Sequence, residues 1–175
     1  MRRLFLFSVS TFVFSVSFSQ KNEFLLIRPL LSSIDSIEKA NNGEIFHTSF
    51  TISVSKDYFP NADKFHLANP LIFFRKGKIF NTEMNYYFSL PDSAIRLVSY
   101  SWNGSQKLTE DLNYLFETNA SYFSKYFGQG GEIKNETHET WTQKTIIWEN
   151  TIVHVKQFMV LGQGTYRVRV LISWK

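Results

Sequence analysis

The sequence predicts an α+β fold: a mainly antiparallel sheet of about six to eight strands, one long helix over residues 106–127 packed across a face, and a shorter N-terminal helix. Three observations lead there. Short runs with apolar residues at every second position recur along the chain, while only one long stretch carries apolar residues at spacings of three and four. Aromatic side chains are abundant, 18 Phe, 8 Tyr and 4 Trp against 8 Gly and 4 Pro, and such residues favour half-buried strands. Two helices among that many strands cannot cover both faces of a parallel wound sheet, so the antiparallel arrangement is the one that closes.

Taken in order, Pro29 to Asn42 reads as the shorter helix, with Leu30, Ile34 and Ile37 on one face and Gly43 just past its end. Phe50, Ile52 and Val54 alternate with Thr51, Ser53 and Ser55, the pattern of a half-buried strand. Lys56 to Asn69, with Pro60, Asn61, Asp57 and Asp63, reads as a long surface loop of the kind that carries function. Leu71–Phe74 and Ile79–Phe80 flank Arg75-Lys76-Gly77-Lys78 as a hairpin. Met84, Tyr86, Phe88 and Leu90 form one side of the next strand, with Tyr87 on the opposite side and expected at the surface. Pro91-Asp92-Ser93 makes a turn, and Ala94 to Trp102 is a further strand.

The long helix places Leu108, Leu112, Leu115, Phe116, Tyr122, Phe123 and Tyr126 on its inner side. Ser105 is placed to cap its start and Gly128 to end it. Strands then follow at Glu132–Glu139, Thr140–Trp148, Ile152–Val160 and Thr165–Trp174. In the last, Tyr166, Val168, Val170, Ile172 and Trp174 share one face, with Val168, Val170 and Ile172 expected to be buried and Arg167 and Arg169 in solvent. Trp141 and Trp148, seven residues apart, fall on opposite faces, so one of them is expected at the surface.

Residues 1–19 have the parts of a cleaved signal peptide: Arg2 and Arg3, an apolar stretch from Leu4 to Phe18, and small Ser17 and Ser19 before a cut ahead of Gln20. Fifteen residues with five hydroxyls fall short of the roughly 20 apolar residues that span a bilayer. The expected mature chain is a single domain, residues 20–175, with no transmembrane span, located in the periplasm or outside the cell. Removing the leader changes the balance from 19 basic side chains to 17, against 15 acidic ones. The remaining basic residues are scattered, which argues against a nucleic-acid partner.

The chain has no Cys, which excludes disulfides, thiolate nucleophiles and Cys-based metal sites. No phosphate-binding, nucleophile-elbow or His-Glu-x-x-His pattern occurs. One grouping invites a metal: Glu136 and His138 share a strand face, and His154 on a following strand completes a two-His-one-carboxylate set for a small hydrolase-like or metal-dependent enzyme. Strand pairing brings surface His and Glu together routinely, so no catalytic, cofactor or metal residue is assigned. Asp35-Ser36-Ile37 and Asp92-Ser93-Ala94 resemble the short O-glycosylation signal used on some exported bacterial proteins, with Ser93 the better exposed. The expectation is an exported, non-enzymatic binding domain that holds a protein or a small apolar ligand through an aromatic-rich surface or a helix–sheet groove. A structural cell-envelope component is the alternative outside enzymology.

Overall fold

A computed structural model describes residues 24–60 and 62–175, so the leader reading lies outside the described residues. The main elements are α1 (Ile34–Ala40), β1 (Gly43–Phe46), β2 (Leu71–Arg75), β3 (Thr82–Phe88), β4 (Ile95–Asn103), α2 (Thr109–Phe127), β5 (Glu132–Thr137), β6 (Trp141–Glu149), β7 (Val153–Gly162) and β8 (Thr165–Trp174). A 3-10 turn precedes each helix, at Leu31–Ser33 and Gln106–Leu108. All eight strands form one antiparallel sheet in the order β1-β2-β3-β4-β8-β7-β6-β5. The plan repeats: a helix, then a four-stranded meander, twice. The two meanders join through their last strands, with Tyr100 of β4 opposite Val170 of β8.

Both helices lie on one face. The register puts Met84, Tyr100, Val170 and Gln157 in one row across β3, β4, β8 and β7, and Tyr86, Val98, Ile172 and Val155 in the next. All eight are buried. Against them α2 sets Leu112, Leu115, Phe116, Asn119, Ala120 and Phe123, a stripe with spacings of three and four. Tyr122 and Tyr126, expected on that stripe, are 41% and 49% exposed: Tyr122 lies at the edge of the buried row, about 100° around from Phe123, and Tyr126 lies in the last turn, past the last buried residue of α2. Gly128 ends α2 in the left-handed conformation at φ 69°. Ser105 contributes its carbonyl to Leu108 N–H, and its side chain caps nothing.

The space between α1 and α2 is filled by the chain before α1. Phe24 packs on Tyr100, Tyr122 and Phe123. Leu25 N–H donates to the Tyr100 hydroxyl at 2.8 Å, and Trp174 Nε1 donates to the Leu26 carbonyl at 3.1 Å. Gln157 Nε2 donates to the Phe116 carbonyl at 2.8 Å, tying α2 to the sheet. No helix among the described residues is long and apolar enough to cross a membrane.

α1 is fastened differently. Its Glu38 is fully buried and takes a two-pronged bond from Arg75 of β2, at 2.8 and 2.7 Å, plus the Tyr86 hydroxyl. Gly43 is required here, since a Cβ would stand 2.3 Å from a Glu38 carboxylate oxygen. The left-handed residue after α1 is therefore Asn42, at φ 54°, and Gly43 opens β1. Leu30 lies outside the helix and is exposed.

Three expected features differ. Phe50–Ser55 forms no strand: its alternation finds no free partner, since β1 already occupies the edge of β2. The β2–β3 connection runs over residues 76–81, and Ile79 is exposed in it. Tyr87 is buried, with Leu97, Phe158 and Leu171, because residues 47–70 between β1 and β2 pack over the face away from the helices.

Candidate functional site

The 24-residue connection from His47 to Pro70 acts as a strap. Its Val54, Tyr58, Phe59, Ala62, Phe65 and Leu67 sit on Tyr87, Leu97, Phe158 and Leu171, which point away from the helices. Two stacked ring pairs hold it: Tyr58 on Phe158 at 5.1 Å, and Phe59 on Phe65 at 5.6 Å. Lys156 Nζ donates to the Asp57 carbonyl at 3.0 Å, and Leu67 makes an isolated bridge to Ser89. An open groove of about 390 Å³ runs along the strap between residues 51–54 and 62–69, with Tyr87 in its wall.

Under the strap the middle of the sheet is polar and low. The register places Asn85, Ser99 and Leu171 in one row and Glu83, Ser101 and Arg169 in the adjoining one, across β3, β4 and β8. Serines are the smallest residues of β4, so the side chains between Glu83 and Arg169 are short. Asn85, Ser99 and Ser101 are at most 4% exposed. Asn85 Nδ2 donates to Glu83 at 2.8 Å, but Asn85 Oδ1, Ser101 Oγ and Arg169 Nε are shut off from solvent without a hydrogen-bond partner among the described residues. Buried polar groups are nearly always paired, so three such atoms on adjoining strands single out this part of the sheet as the candidate site, although Arg96 Nε and Gln157 Oε1 also lack a partner among the described residues.

The electrostatics agree. Burial lowers the Arg169 pKa from the usual guanidinium value, and neighbouring Arg167 adds to the effect, against the weaker pull of Tyr58, Glu83 and Tyr87. Its guanidinium lies 5.6 Å from the Tyr58 ring centre. Burial raises the Tyr87 pKa, which keeps its hydroxyl protonated and able to donate. Arg169, expected in solvent, is half-buried, with the Tyr58 ring of the strap over its guanidinium. Arg167 is half-buried too and donates to Asn103 at 2.6 Å.

The metal-like trio does not converge. His138 Nε2 lies 4.0 Å from Glu136 Oε2, both half-exposed, and the His138 ring stacks on Trp141 at 3.9 Å. Glu136 faces Gln143, which faces Val160, whereas His154 faces Glu149. His154 thus lies six residues along β7 from the position level with Glu136, about 20 Å at the usual strand rise. Among the described residues no group of three or more His, Asp or Glu could hold a metal ion. Ser36 is exposed on α1, and Ser93 is exposed in the β3–β4 turn at φ 53°. Trp148 is buried on the helix face and Trp141 is half-exposed.

Sequence reasoning missed Ser99, Ser101, Asn85 and Arg169, and treated Tyr87 as a surface residue. A usable signal was present. An open strand face ordinarily carries long charged or β-branched polar side chains, whereas β4 alternates Val98, Tyr100 and Trp102 with Ser99 and Ser101. Small uncharged side chains leave room for something to lie on them. No protein-family model, curated protein or solved structure matches the chain.

Proposed function

We propose that this chain is an exported binding domain whose ligand is held on the strapped face of the sheet, between residues 47–70 and the floor of β3, β4 and β8. One observation carries the reading: polar atoms with unmet hydrogen-bond capacity lie beneath an aromatic cover beside an open groove. On the helix face Phe24, Phe116 and Phe123 belong to the packed core, so the ligand is placed on the strapped face. Placing the ligand there thus moves the expected groove from between helix and sheet to the opposite side. Export rests on the sequence of residues 1–19.

A thermal-shift screen of chemically diverse small molecules, followed by amide chemical-shift mapping of the hits, tests the site. Hits should move the amides of Tyr87, Ser101 and Arg169, and should lose their effect when residues 51–66 are replaced by a short Gly-Ser linker. Hits that map only to α2, or that survive the replacement, count against the proposal. Intact mass of the protein recovered from the periplasm or medium tests export, with a start at Gln20 expected and retention of residues 1–19 contradicting it.

A further inference from the structure

Among the described residues two half-buried arginines of the sheet, Arg75 and Arg169, are treated differently. Arg75 receives a carboxylate fork from Glu38. Arg169 has no carboxylate within ion-pair distance among the described residues, and its Nε makes no hydrogen bond. That Nε–H is shut off from water, and a buried donor left unmet costs free energy that a bound acceptor would recover.

What would complete it can be read from the surroundings. The guanidinium presents donors in a planar fork that matches a carboxylate, with both bonds charge-assisted. Ser101, directly opposite on β4, offers a hydroxyl that can donate to the same group. Glu83 is already engaged by Asn85 Nδ2, which leaves Asn85 Oδ1 as an acceptor facing a ligand donor. Tyr58, Phe59 and Leu97 nearby are apolar and aromatic, and the neighbouring groove, lined by strap residues and Tyr87, has the volume of a small-molecule site.

Resting on the proposed strapped-face site, we infer that its ligand is a small organic carboxylate with an apolar body and a hydrogen-bond donor beside the acid group. Arg169 and Ser101 hold the carboxylate, and Asn85 takes the donor. The body lies under Tyr58 and Phe59 toward the groove.

The probe is 3-phenyllactate, with its uncharged amide, phenyllactamide, and inorganic phosphate as comparisons, read by nitrogen–proton correlation spectra that include the arginine Nε–H signals. Phenyllactate should give a saturable shift at Arg169 Nε–H and at the Ser101 amide. The amide should bind at least tenfold more weakly, and phosphate more weakly than phenyllactate. Arg169→Met should weaken phenyllactate at least tenfold, whereas Arg167→Met, two residues along the same face, should change it less than threefold. Because Arg169→Met removes a buried unmet donor, its melting temperature should equal or exceed the parent's. A lower one assigns Arg169 to the scaffold and overturns the inference. Equal binding of acid and amide at the strap overturns the carboxylate assignment while leaving the strapped-face reading in place. Stronger binding of phosphate, or no saturable shift with phenyllactate, also overturns it. Failure of the wider reading shows separately, as screening hits that map away from the strap.

Discussion

The two halves of the chain follow one plan and solve it with different chemistry. In the second half, α2 has 19 residues and docks through an apolar stripe centred on Phe116. In the first, α1 has seven residues, too few to offer such a stripe, and docks through Ile34 and the buried Glu38–Arg75–Tyr86 cluster. The connections differ as well. Three residues join β5 to β6, whereas 24 join β1 to β2 and cover the far face of the sheet. A repeated backbone plan thus leaves both the docking of the helix and the length of one hairpin connection free to change. The candidate site arises from the second of these freedoms.

If that contrast is right, the halves should break in different ways. The largest effect is expected in the second half, where Phe116→Ala should cost about 3–5 kcal/mol, read from the urea midpoint. Such a loss is a large share of the roughly 5–15 kcal/mol that stabilises a domain. A midpoint equal to the parent's would mean that α2 does not depend on this face. In the first half Glu38→Ala leaves a covered guanidinium unpaired, and loss of one partner of a buried pair costs about 3–5 kcal/mol. The distinguishing test is the double replacement. Glu38→Leu with Arg75→Met should restore most of that loss, since an apolar pair of similar volume often matches a buried ion pair. Additive losses would show that the first half does not use a charge clamp.

The smallest effect concerns pH. Burial, helped by Lys175 and Lys156 and opposed by Glu149, holds the His154 pKa below its ordinary 6.5. The folded state therefore takes up fewer protons there than the unfolded chain does. This contribution to stability is fully present above about pH 6.5, and is lost as pH falls from there through the lowered folded value. Urea midpoints measured from pH 7.5 down to 5 should fall, and His154→Gln should make the fall shallower. An unchanged slope would place His154 in open solvent.

Much of this was legible along the chain, and the misses share a cause. The period-two row of β8, with Val168, Val170 and Ile172, is buried as read, because a strand's own pattern names its apolar face. The same pattern could not say that the opposite face was also covered. Leu171 and Arg169 lie on that face, and residues over 100 places earlier, in the strap, bury Leu171 and set the Tyr58 ring over Arg169. Phe50, Ile52 and Val54 show the converse, an alternation that satisfies the strand pattern but finds no neighbouring strand. On α2, Asn119 continues the buried stripe at 1% exposure, where a reading by apolar residues alone passed over it in favour of Tyr122. Periodicity reports what an element presents, and the partner that meets it is a property of distant chain.

The seam between β4 and β8 has a kinetic side. Each meander can zip up from its own hairpins, whose elementary steps take microseconds. The centre of the sheet must wait until Tyr100 meets Val170 across the whole of α2 and three further strands, a closure whose entropy is met before its contacts form. In that interval the edge of β4 is an unfilled template. The β8 strand of another molecule fits it as well as its own, so at high concentration the characteristic error of this chain is a pair of molecules that have exchanged their second halves.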